Sequence, residues 1–103
     1  MEIQTVRIMP DVRQKYIVVR VADEHAESLI LWGNPNIQWH KDIYDEIVIA
    51  GYKVTEVLGG GWLLEKTQEG KIYVWGRSDR YGVAPVRLVA ELLQTDVIQE
   101  ESE

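Results

Sequence analysis

The chain has 103 residues, 46% of them hydrophobic, with a formal net charge of -6 and no cysteine. That length is one domain with an ordinary core, and the missing thiols exclude disulfides, thiolate nucleophiles and cysteine-held metals. Negative charge repels a nucleic-acid backbone, no apolar run reaches the ~20 residues a membrane helix needs, and no secretory leader is apparent, so a cytoplasmic protein without nucleic-acid or membrane partners is expected.

Gln4–Ile8 alternates weakly and predicts an edge strand, followed by a turn at Pro10-Asp11. Lys15–Val21 (KYIVVRV) is dense in β-branched and aromatic residues and predicts a strand, paired as a hairpin with Ser28–Trp32 across the polar Ala22–Glu27 link. Gly33-Asn34-Pro35-Asn36 breaks the chain before a helix over Lys41–Ala50, in which Ile43, Tyr44, Ile47 and Ala50 share a face. Gly51 is its stop signal. Tyr52–Leu58 is the next strand, and Gly59-Gly60-Gly61 then allows a bend or a close backbone approach. Trp62–Lys66 and Lys71–Trp75 predict a hairpin around Thr67–Gly70. The polar loop Gly76–Gly82 leads to a second helix from about Ala84 to Leu93, with Pro85 in its first turn and Val86, Val89, Ala90 and Leu93 on one face. Val97-Ile98 returns to a sheet edge. The sum is an α+β single domain, a mixed β-sheet of about six strands flanked by two α-helices. It spans residues 1–98, and 99–103 form an acidic disordered tail.

Two places suit chemistry. His40 stands at or just before the first helical turn, where the helix dipole disfavours the imidazolium form and keeps a lone pair available. A lone histidine carries no motif specificity, and on spacing alone a capping or surface role is the plainer reading. The loop Gly76-Arg77-Ser78-Asp79-Arg80-Tyr81-Gly82 runs from a strand into a helix, so its amides can converge on an anion while Ser78, Arg77 and Arg80 donate. An ordinary connection with solvated arginines explains it equally well. Asp42, Asp45 and Glu46 crowd one helical turn and read as a solvated face. The glycine triplet lacks the Lys-Ser or Lys-Thr of a P-loop. His25 and His40 are too far apart for helical pairing, so neither a metal site nor a cofactor is expected.

Read together, Met9-Pro10-Asp11-Val12, Lys15-Tyr16 with Arg20-Val21, His40-Lys41-Asp42-Ile43-Tyr44-Asp45, Leu58-Gly59-Gly60-Gly61, and Lys71-Ile72, Val74, Gly76, Ser78 and Tyr81-Gly82 resemble, in that order, the phosphohistidine phosphatase family that includes the janus and ocnus proteins. The likeness runs from about Met9 to Leu93. It implies a six-stranded mixed sheet with flanking helices and a metal-independent phosphatase cleaving the P–N bond of phosphohistidine in proteins. It makes His40 the catalytic residue, as general base or nucleophile, with Lys15 in the positive site and Ser78, Asp79 and Arg80 around the phosphate. Arg77, Trp39 and Gly61 complete the expected site. The substrate is then a phosphohistidine-containing protein or a phosphoramidate, acted on by a monomer. The chain departs from animal members in having Trp62 and Trp32 where they carry arginines, Trp39 for a tyrosine, and Arg80 for a small residue. Two other functions remain open at this point: a non-catalytic phosphate- or phosphopeptide-binding module, and an interaction protein using Trp32, Trp39 and Trp62 as an apolar patch.

Overall fold

The computed structural model describes residues 6–100, so Met1–Thr5 and residues 101–103, with the start of the expected first strand and most of the acidic tail, lie outside the described residues. In chain order the elements are β1 (Val6–Arg7), β2 (Gln14–Ala22), β3 (Glu27–Asn34), α1 (His40–Ile49), β4 (Lys53–Lys66), β5 (Lys71–Trp75), α2 (Val86–Leu93) and β6 (Val97–Gln99). They build one six-stranded mixed sheet in the order β1-β3-β2-β4-β5-β6. The β2–β3, β2–β4 and β4–β5 pairs are antiparallel. The outer pairs β1–β3 and β5–β6 are parallel.

The apolar run in β2 follows from burial on both faces. Tyr16 and Val18 join Leu31, Leu63, Ile72, Val74 and Val89 in the cluster that Leu88, Leu92 and Leu93 of α2 cover. Ile17, Val19 and Val21 join Ile30, Trp32, Ile43 and Ile47 on the side that α1 covers. A strand sandwiched between helices has no solvent face, so hydrophobicity stops alternating and becomes continuous. On α1 the buried residues are His40, Ile43 and Ile47. Ala50, expected on that face, is exposed and caps the helix instead. Pro85 is the N-cap of α2 and not a residue of its first turn.

The main difference from the sequence reading is β4. The expected strands Tyr52–Leu58 and Trp62–Lys66 are not divided by the glycines: from Lys53 to Lys66 the chain is one strand of 14 residues. The triplet runs through it because a neighbour needs the space. A Cβ on Gly59 would lie 2.5 Å from the Val83 carbonyl and the Ala84 nitrogen. On Gly60 it would meet the Tyr16 oxygen at 2.5 Å and the His40 ring at 3.0 Å. The Gly60 amide donates to Gly82 O at 3.0 Å and its carbonyl accepts from Ala84 at 3.3 Å, so the 82–84 segment is stitched onto the middle of β4. The register of β2 against β4 shifts between Val18 and Val19 beside this stretch, as a β-bulge does.

At the other end of β2, Gln14 is buried and its side-chain amide pairs with both backbone groups of Met9, accepting at 3.2 Å and donating at 2.7 Å. At the far edge Gln99 closes β6 and the Glu100 amide donates to Val74 O at 2.8 Å, so pairing reaches two residues past the expected end of the folded body at Ile98.

Candidate functional site

One cleft of about 380 Å³ is lined by Lys15, Trp39, His40, Lys41, Trp62, Arg77, Ser78, Asp79 and Arg80. Lys15 comes from β2, Trp62 from β4, and Trp39 to Lys41 from the start of α1. The other four come from the loop between β5 and α2. Of the expected site residues, His40, Lys15, Trp39, Arg77, Ser78, Asp79 and Arg80 all meet here. Gly61 is not on the wall but lies beneath it, with its carbonyl 3.0 Å from His40 Nε2.

That contact defines the imidazole. A carbonyl oxygen only accepts, so Nε2 carries the ring proton and Nδ1 keeps its lone pair. His40 is the first residue of α1 and is 8% exposed. Burial holds its pKa below the ordinary 6.5, and the Lys15 ammonium pushes the same way, against the Gly61 hydrogen bond and the Asp79 carboxylate. The helix terminus considered from sequence adds to this. The ring is neutral at physiological pH.

The loop is a closed turn. Ser78 N donates to Gly82 O at 3.1 Å and Gly82 N donates back to Ser78 O at 2.8 Å. Inside it, buried Ser78 accepts from Tyr81 N through Oγ at 3.0 Å, which leaves the hydroxyl proton free to donate. The amides of Asp79 and Arg80 have no acceptor among the described residues. A closed turn of this kind, with unspent amides and a hydroxyl in a cleft wall, is the sort of segment that can hold a tetrahedral anion.

Cations dominate the walls: Lys15, Lys41, Arg77 and Arg80 face one carboxylate, Asp79. Lys41 is tied to Asp45 at 3.0 Å, whereas neither loop arginine has an ion-pair partner among the described residues. A chain of net charge -6 thus concentrates positive potential where an anion would enter. Lys15 Nζ donates to Gln38 O and lies between two indoles, 5.4 Å from the Trp39 centroid and 5.3 Å from that of Trp62. Trp62 is in turn stacked on Trp75 at 6.2 Å, with planes 9° apart.

Sequence reasoning missed the part of Lys41, and a lysine next to a histidine gives no signal until the helix start is known to form the wall. Glu46 was misplaced as a solvated residue. It accepts from Trp32 Nε1 at 2.6 Å and Asn34 Nδ2 at 2.9 Å and pairs with Arg7 at 2.6 Å. Burial works against its charge, but these bonds and the Arg7 charge prevail and hold its carboxyl below the ordinary 4.5. The same contacts take Trp32 out of any surface patch, since it is 5% exposed and packed under α1. His25 is exposed in the turn after β2, remote from the cleft in sequence and fold.

A model of the Janus/Ocnus family matches residues 1–101. The chain belongs to the Janus/Ocnus family. Among curated proteins, it is 31% identical over 90 residues to the 14 kDa phosphohistidine phosphatase of Homo sapiens, an alignment covering 78% of this chain and 72% of that protein. Both findings agree with the resemblance carried by the HKDIYD, LGGG and GRSDRYG stretches. Among the described residues no helix is long and apolar enough to cross a membrane.

Proposed function

We propose that this Janus/Ocnus protein is a metal-independent, phosphohistidine phosphatase-like hydrolase that cleaves a P–N bond in a phosphohistidine-containing protein or a phosphoramidate. The observation that carries the reading is the meeting of a neutral, buried His40 with the Ser78–Arg80 donor turn across one cationic cleft. The human relative's name, phosphohistidine phosphatase, supplies the substrate class.

In this reading the phosphoryl oxygens are held by the Ser78 hydroxyl, the Asp79 and Arg80 amides and the charges of Lys15, Arg77 and Arg80. Phosphoryl transfer needs mainly positioning and electrostatic stabilisation, which such donors provide without reorganising. His40 Nδ1 takes a proton from a water as its oxygen bonds to phosphorus. The P–N bond breaks in line, and the departing nitrogen acquires a proton from solvent at the mouth. Direct attack by the same nitrogen, giving a transient phosphorylated His40, uses the same geometry. Acid-quenched labelling separates the two routes.

Release of inorganic phosphate from a phosphohistidine peptide tests the proposal. The parent turns over with or without chelator, and His40→Ala loses at least about a hundredfold, the usual scale for removing a general base. Undiminished turnover by the variant removes His40 from the chemistry. Phosphate binding without hydrolysis by the parent identifies a binding module instead.

A further inference from the structure

Trp39 is the N-cap of α1, a position that favours Ser, Thr, Asp or Asn, and its side chain makes no capping bond. It is 61% exposed, although it lines the cleft and has Lys15 Nζ 5.4 Å from its ring. A large indole left mostly in water beside a polar pocket serves neither the cap nor the core. Its neighbour His40 is 8% exposed, so the reactive nitrogen belongs to the floor of the cleft and Trp39 to its mouth. In-line displacement then sets a direction. When the attacking oxygen comes from the floor, the departing nitrogen points out at the mouth. The other lining residues around it are the charged Lys41, Arg77, Asp79 and Arg80 and the half-buried Trp62, which is already stacked on Trp75, so Trp39 is the more exposed of the two indoles that line the cleft.

We propose that Trp39 is a specificity residue that stacks on the heterocyclic leaving group, so that the cleft selects a phosphorylated imidazole ring over a ringless phosphoramidate. This rests on the hydrolase reading and adds a basis for discriminating between leaving groups. The phosphoryl site is common to every N-phosphorylated substrate, and only a contact beyond phosphorus can tell one leaving group from another. Offset stacking between an indole and a planar ring meets that need and tolerates rotation about the P–N bond.

The test compares kcat/KM for phosphoimidazole, a phosphohistidine peptide and phosphoramidate in the parent, Trp39→Ala and Trp39→Phe. Trp39→Ala lowers the ratio of each ring substrate to phosphoramidate by roughly tenfold, equivalent to about 1.4 kcal/mol. Trp39→Phe keeps most of it. Whatever the substitution costs all three substrates through Lys15 cancels in the ratio, so a misfolded or poorly charged cleft does not imitate the effect. An unchanged ratio in active Trp39→Ala overturns the stacking role and leaves the hydrolase reading standing. A parent that cleaves none of the three removes both.

Discussion

The two walls of the cleft are built in different ways. The wall of Lys15, His40 and Trp62 grows out of the sheet and its covering helix: β2 and β4 are interior strands, and the His40 ring is seated on a β4 carbonyl. The facing wall, Arg77 to Arg80, belongs to a loop closed by its own Ser78–Gly82 bonds and anchored to β4 through Gly82 and Ala84. One wall is held by the core and the other by a short set of hydrogen bonds. The difference suggests a division of labour, in which the rigid side fixes a nitrogen within a narrow tolerance and the loop side supplies charge and adjustable donors.

The most damaging way to break this arrangement is Gly60→Ala, because the new methyl would press on both the Tyr16 carbonyl and the His40 ring. Overpacking at such a site costs about 1–3 kcal/mol, so denaturant melts fall by that amount and turnover falls further as the imidazole is displaced. Ser78→Ala attacks the other wall. It strips the acceptor from Tyr81 N and a hydroxyl from the cleft, with an expected loss of about 1–3 kcal/mol in stability and, if the proposed function holds, a tenfold or larger drop in kcat/KM.

Beside burial and the Gly61 hydrogen bond, one charge from each wall acts on the His40 pKa, Lys15 lowering it and Asp79 raising it. Activity that needs neutral His40 falls on the acid side below 6.5. The acid limb of the pH–rate profile moves up in Lys15→Gln and down in Asp79→Asn. Stability follows the same sign: the unfolded chain binds the His40 proton more readily than the folded one, so the contribution of the buried neutral ring is complete above about 6.5 and is lost as pH falls toward the lower folded value. The smallest effect is expected at the exposed rim. Arg77→Ala and Arg80→Ala each raise KM a few-fold with little change in kcat, and the penalty shrinks between 0.05 and 0.5 M salt as screening takes over.

Much of the fold was legible because its signals are local. KYIVVRV announces a strand, although its burial on both sides came only with the structure, and the Ile43–Ile47 spacing announces the face of α1. The glycine triplet was readable as a place of close approach, but not as the middle of a continuous strand. What it makes room for, the Val83–Ala84 backbone, lies over twenty positions downstream. Glu46 was misread for a similar reason. Its partners Arg7, Trp32 and Asn34 come from two other strands, and nothing in the spacing of Asp42, Asp45 and Glu46 distinguishes the carboxylate that turns inward. The motifs named His40 and the 76–82 loop separately. Their meeting across one cleft is a product of sheet order, with β2 and β5 on either side of β4.

Gln14 has a bearing on the residue that follows it. Its amide imitates a peptide unit, giving and receiving one bond each with Met9, and it holds the connection between β1 and β2 against the first residue of β2. This tether carries no charge, so neither acidity nor ionic strength loosens it. The strand that delivers the Lys15 ammonium therefore begins from a mooring indifferent to the solution conditions that govern everything the ammonium itself attracts.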